Sequence, residues 1–276
     1  VAVTFDDIPG YQGDNCDVAA YRALNEKLVA AIKRNAIPAL GLVNEGHLCE
    51  AERHHNREIY EVWYEAGLEL GNHTFSHRDF NVVPLEEFKA DIIAGERSLT
   101  NPRYFRFPFL RTGLDLEKKR AIERFLDERG YRQAVVTFDN DEYIYAAAYA
   151  AAQRKGDRVT AGKIAGDYLR YMESTFVFYE QLARETLGYE PPQILLLHAN
   201  ALNADSLDRL AGILRSRGYR FDSIENVLKD PVYARRDDYI GRRGLSWLQR
   251  WAIGMGNDPK KQPDVPAWVM DLYRAR

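Results

Sequence analysis

The sequence predicts an α/β fold on a parallel sheet, either open or closed into a barrel. Two observations carry that reading. Short apolar runs alternate with longer amphipathic segments along most of the chain, and repeated β/α units of this kind build parallel sheets. Ionisable residues also gather directly after the apolar runs. In parallel β/α folds, sites lie at the carboxyl ends of the strands.

Taken in order, "VAVTF" at 1–5 reads as a strand, and "DVAAYRALNEKLVAAIKRNA" at 17–36 has helical periodicity. "PALGLV" at 38–43 is a strand, and "REIYEVWYEAG" at 57–67 is a helix ending in glycine. "LELGN" at 68–72 is a strand, and "PLEEFKADIIAGERSL" at 84–99 is a helix opened by proline. "RYFRF" at 103–107 is a strand before the helix "LEKKRAIERFLDERG" at 116–130. "QAVVTF" at 133–138 is a strand, then a long helical stretch includes 161–188. "QILLLH" at 193–198 is a strand, "DSLDRLAGILRSRG" at 205–218 a helix, and "YRFDSI" at 219–224 a weak last strand. About seven parallel strands result, short of a full eight-stranded barrel. We assign residues 1–230 to this unit. The tail 231–276 is rich in Trp and Arg, and Trp247, Trp251 and Trp268 are expected to dock it on the barrel.

With 46% hydrophobic and 29% charged residues, the 276-residue chain has ordinary globular composition. A net charge of −3 gives no reason to expect a nucleic-acid partner. No apolar run is long enough for a transmembrane segment. Because the chain opens directly on a strand, we expect a leader that was removed or lies outside the given sequence.

The strand ends deliver the chemistry. Asp6 and Asp7 follow the first strand, His73 and His77 the third, Arg106 lies on the fourth, Asp139 and Asp141 follow the fifth, and His198 ends the sixth. Spacing of four places His73 and His77 on one face of a helical turn. A carboxylate and two imidazoles make a three-ligand centre with open positions, as in catalytic zinc sites. Another carboxylate and a distant histidine can then serve as general base and acid. Alternation along a strand sends Asp6 and Asp7 to opposite sides, so a division into base and ligand is natural. His47, His54 and His55 read as solvated loop and helix residues, with lining of the cleft as the alternative.

On these residues the sequence resembles the polysaccharide deacetylases, the fourth carbohydrate esterase family. "TFDD" at 4–7, "HTFSH" at 73–77, "RFPF" at 106–109 and "LLLH" at 195–198 are similar to the family's motifs in order and spacing. The resemblance runs from Val1 to about Asp230 and implies a distorted, incomplete (β/α) barrel. It implies a metal-dependent hydrolase acting on acetylated carbohydrate, with one divalent ion. Zinc suits the ligand types, and cobalt, nickel or iron fit the same set. By position, Asp7, His73 and His77 would hold the ion, Asp6 would be the base, and Arg106 would orient it. Phe109 would offer its backbone N–H to the oxyanion, Leu196 would line the acetyl pocket, and His198 would be the acid. An acid in "FDNDEY" would pair with His198. The segment offers Asp139, Asp141, Glu142 and Tyr143; Asp139 is favoured because it ends the strand, with Asp141 close behind. Tyr143 and Asp141 are further candidate substrate contacts, since the family's usual Trp is missing here. Asn200 is a polar neighbour without an assigned role. Two other readings stand beside this one: hydrolysis of a cyclic amide or formyl group, and a carbohydrate-binding protein without turnover.

If the substrate is an extracellular polymer, the protein works extracytoplasmically, where disulfides persist. Cys16 and Cys49 lack the spacing of a zinc or redox motif, and each follows one of two neighbouring strands. We therefore predict a Cys16–Cys49 disulfide on the rim of the cleft.

Overall fold

The strongest apolar runs become the strands of one parallel sheet. The computed structural model describes residues 1–10 and 16–275. Among them, β1 (Ala2–Ile8), β2 (Leu40–Val43), β3 (Glu69–Asn72), β4 (Tyr104–Phe105), β5 (Arg132–Gln133) and β6 (Ile194–His198) pair in the order β5-β4-β3-β2-β1-β6. β1, β2 and β6 are buried almost throughout, as strands covered on both faces must be. The run 133–138 pairs with β4 only at its start. It then crosses toward the far edge, where Phe138 bridges Leu195. The two edges of the sheet thus meet at a single bridge, and the result is a distorted, incomplete (β/α) barrel.

Among the described residues six strands form rather than seven. The stretch 219–224 lies beside the start of β1 through Val1 N–H to Arg220 O (2.7 Å) and Asp222 N–H to Val1 O (3.0 Å). Ser223 then caps a helix by accepting from Asn226 N–H. That cap commits the backbone to a helix before a strand can form.

Ten helices are described: α1 (Val18–Arg34), α2 (Asn56–Glu65), α3 (Leu85–Ala94), α4 (Leu116–Glu128), α5 (Glu142–Arg154), α6 (Arg158–Leu187), α7 (Ala201–Ser216), α8 (Ile224–Val227), α9 (Trp247–Gly254) and α10 (Ala267–Arg274). The long helical stretch divides at Gly156, which takes φ 71°, and Asp157 caps the new helix at Thr160 N–H. α1 buries Leu28 and Ile32 completely, each contributing about 1.5–3 kcal/mol by the usual area relation. A second aromatic cluster of Phe80, Phe88, Phe105 and Phe107 fills the space at α3, α4 and β4. Trp63 donates to Asn25 Oδ1 (2.8 Å), and Asn25 donates to Pro9 O (2.8 Å). That chain of bonds fixes the backbone leaving β1.

In the tail, Trp247 and Trp251 are buried, and Trp268 is half-buried under the Lys163 ammonium, 4.6 Å from its ring. Cys16 and Cys49 are bridged, with Cα atoms 5.5 Å apart, inside the range a disulfide requires. No helix among the described residues is long and apolar enough to cross a membrane.

Candidate active site

The site begins with an irregularity in β1. Its register against β2 shifts between Phe5 and Ile8, and Asp7 there takes φ 63°. A bulge of this kind re-aims a side chain that alternation would send elsewhere. The expected separation of Asp6 and Asp7 is therefore corrected. Asp6 Oδ2 lies 3.6 Å and Asp7 Oδ1 3.9 Å from the same nitrogen, His73 Nε2.

The second motif is a turn, not the helical turn that its spacing suggests. Thr74 and His77 have φ 69° and 51°, a region non-glycine residues enter only when their surroundings fix them. The surroundings are explicit. Asn72 Oδ1 accepts from Thr74 N–H (2.7 Å), and Asp91 on α3 accepts from Ser76 N–H and Ser76 Oγ. Gly46 donates its N–H to Phe75 O (2.8 Å), and a side-chain carbon at Gly46 would collide with that carbonyl. The turn brings the His73 and His77 rings to 4.9 Å.

Asp7, His73 and His77 each offer an atom within 4.8 Å of the others. His77 Nε2 is 3.4 Å from Asp7 Oδ1. His73 Nδ1 lies 2.8 Å from Arg106 O. A carbonyl only accepts, so Nδ1 carries the proton and Nε2 keeps its lone pair toward the acids. Burial pushes His73 down to about 4, which keeps it neutral. Burial raises the Asp7 carboxyl, but the imidazoles around it, His77 first, outweigh burial and hold it below the usual carboxylate range. Asp7 Oδ1 is buried without a hydrogen-bond partner. A buried, unpartnered carboxylate oxygen facing two imidazoles fits a divalent cation.

Arg106 is buried and fully engaged. It donates to Asp6 Oδ1 (2.5 Å), Thr4 Oγ1 (2.8 Å) and Ala134 O (2.8 Å). The bond to Asp6 fixes that carboxylate against the buried guanidinium. On the other flank of β1, His198 pairs in register with Asp6. Leu196, two residues back, shares the face of His198 and is buried.

The expected partner of His198 needs correction. His198 Nδ1 is 2.8 Å from Glu142 Oε2, not against Asp139. Asp139 turns back on the following peptide and accepts from Asn140 N–H (2.9 Å). Burial lifts it to about 7. Glu142, at the start of α5, is fully buried and reaches His198 with its longer side chain. Its other oxygen accepts from Asn200 Nδ2 (2.5 Å) and from Asn203. Burial pushes His198 down, but the charge and hydrogen bond of Glu142 outweigh it and raise the imidazole to about 10. Asp141 is held by Gln262 (3.0 Å) of the tail.

Two half-exposed aromatics stand at the rim. The Phe109 ring is 4.6 Å from His77, and the Tyr143 ring is 6.5 Å from His198. Of the loop histidines, His47 approaches the centre, its ring 6.2 Å from that of His77. His54 is exposed, and His55 pairs with Glu58 (3.0 Å). The sequence reading assigns no role to Asn203 or Thr4. Asn200 and Asn203, three apart directly after His198, are the one sequence signal for a cradled carboxylate.

A family model described as polysaccharide deacetylase matches residues 1–124. No curated protein matches the chain. Among solved structures, a CE4 family pseudoenzyme from Bacillus anthracis is similar, at 13% identity and TM-score 0.53, over 82% of this chain and 64% of that one. A mutant of it with restored enzymatic activity gives 14% and 0.56, over 82% and 66%. The chain thus spans just under two thirds of these relatives. A peptidoglycan N-acetylglucosamine deacetylase gives 18% and 0.55, over 82% of this chain and 86% of that one. At such identities the likeness is one of fold. The family match covers the stretch 1–124, which carries the first three of the motifs.

Proposed function

We propose that the chain is a metal-dependent hydrolase that removes acetyl groups, N-acetyl foremost, from a polysaccharide or oligosaccharide. The observation that supports this most is the cluster of Asp7, His73 and His77 beside an Arg106-held Asp6 and a Glu142-held His198. The three ligands would hold one divalent ion, and zinc suits their types best. When bound, such an ion supplies Lewis acidity at an acyl oxygen and a water of lowered pKa.

The chain's own residues do the rest. Asp6 takes a proton from the attacking water, its carboxylate held by Arg106. The Phe109 N–H donates to the developing oxyanion, an interaction typically worth about 3–4 kcal/mol. Leu196 borders the acetyl methyl. His198, kept protonated by Glu142, gives its proton to the leaving amine. Phe109 and Tyr143 offer ring faces to the sugar. The Cys16–Cys49 bridge supports an extracytoplasmic place of work.

The test is acetate release by the zinc-loaded protein from N-acetylated chitooligosaccharides and peptidoglycan fragments and from an O-acetylated xylan. Release that depends on zinc supports the reading. Glycan binding without release from any of them would overturn it in favour of a binding protein.

A further inference from the structure

The tail 231–276 also packs against the Phe109–Leu110 turn at the edge of the site. Phe109 and Leu110 take φ 57° and 54°, two successive non-glycine residues in the left-handed region. Such a pair persists only where neighbours fix it. The turn's own bonds run from Leu110 N–H to Phe107 O (3.0 Å) and from Arg111 N–H to Pro108 O (3.1 Å). They leave the Phe109 N–H unused by the turn.

What fixes the turn comes from about 140 residues later in the chain. Arg250, 2% exposed, donates to Leu110 O and to Thr112 Oγ1 (3.2 Å). Asp237 (2.7 Å) and the Trp247 face, 4.0 Å below its guanidinium, orient the fork. Gly244 lies against the Phe109 carbonyl so closely that a side-chain carbon there would collide with it. One planar, five-donor group thus holds the C-terminal side of the turn at two points, through geometry a lysine cannot reproduce.

We infer that Arg250 is a positioning residue for the deacetylation: it holds the Phe109–Leu110 turn in its left-handed form, so that the Phe109 N–H faces the reacting acyl group. This rests on the function proposed above. A donor misplaced by such a turn weakens the transition state more than the ground state.

The experiment compares Arg250→Met, Arg250→Lys and Gly244→Ala with the parent protein. In Arg250→Met, kcat should fall about a hundredfold, as for loss of one oxyanion donor. KM, zinc stoichiometry and the limbs of the pH profile should stay as in the parent. Arg250→Lys should recover only part of kcat. Gly244→Ala pushes the neighbouring Phe109 carbonyl of the same turn without removing a buried charge, and it should repeat the pattern if Arg250→Met does not fold. Amide hydrogen exchange supplies a readout apart from activity. Exchange at 107–112 should quicken in these variants while β1 and β6 keep their rates. Unchanged exchange at 107–112, a rise in KM with kcat kept, or a kcat loss matched by lost zinc would overturn the inference. A parent protein inactive on every acetylated glycan would sink the function instead, and the exchange measurement would still decide whether Arg250 holds the turn.

Discussion

The candidate metal triad and the His198–Glu142 pair lie on either side of β1, and they are built by different means. Asp7, His73 and His77 owe their convergence to the backbone: a bulge in β1 and a turn with two left-handed residues. His198 and Glu142 owe theirs to side chains, because a strand end and a helix start are joined by a buried carboxylate cradled in Asn200 and Asn203. The difference teaches where each half is fragile. The triad depends on ligand identity and local chain length. The His198–Glu142 pair depends on single polar atoms that belong to none of the three triad residues.

The sharpest break is at the triad. His73→Ala should lose both bound zinc and turnover while the far-UV signature of the fold persists. Stoichiometric zinc in that variant, measured by atomic emission, would remove His73 from the ligand set. Next comes Asp6→Asn, which should keep its zinc and lose about 10²–10⁴ in kcat, the usual contribution of a general base. Near-parental turnover would reassign the base.

The comparison predicts a different signature across β1. In the proposed role His198 acts in its protonated form, and Glu142 is what raises it against burial. Glu142→Gln should therefore move the upper limb of the kcat–pH profile to lower pH, by about 1–3 units for loss of an adjacent opposite charge. Zinc content should stay the same. Asp139→Asn should leave that limb in place. If Asp139→Asn moves it and Glu142→Gln does not, the assignment of the acid's partner reverses.

The smallest effect on chemistry is expected at the rim. Replacing Cys16 and Cys49 with Ser opens a loop of sequence separation 33. The chain-entropy relation gives about 3–4 kcal/mol of lost stability, while kcat per folded molecule should hardly change. Denaturant titration and turnover, measured on the same samples, separate the two. A large kcat loss in the folded fraction would make the bridge part of the active site.

What the sequence discloses follows the same divide. Asp6, Asp7, Arg106 and His198 are legible because each sits on or just after a strand, and strand periodicity is local. The His pair is legible by spacing, though its turn is not: nothing in "HTFSH" reveals that Asn72 and Asp91 hold it. Glu142 is hidden among the acids of "DNDEY" because the choice depends on side-chain reach and on which peptide Asp139 prefers. Arg250 lies in a tail without clear periodicity, and its partners at Leu110 and Thr112 are fixed only by packing. The seventh strand fails for a local reason that can be read afterwards: Ser223 is a good helix cap.

The shifted register at Asp7 also bears on how such a centre is acquired and lost. On a regular strand, no exchange of one amino acid for another can turn two adjacent acids toward a single point, since neighbours face apart. One additional residue in the strand can, because it breaks the alternation at that point alone. Descent by substitution alone therefore keeps the pair or spoils one member of it. Lengthening or shortening β1 by one codon would create or abolish the paired arrangement in a single event, with both acids still encoded.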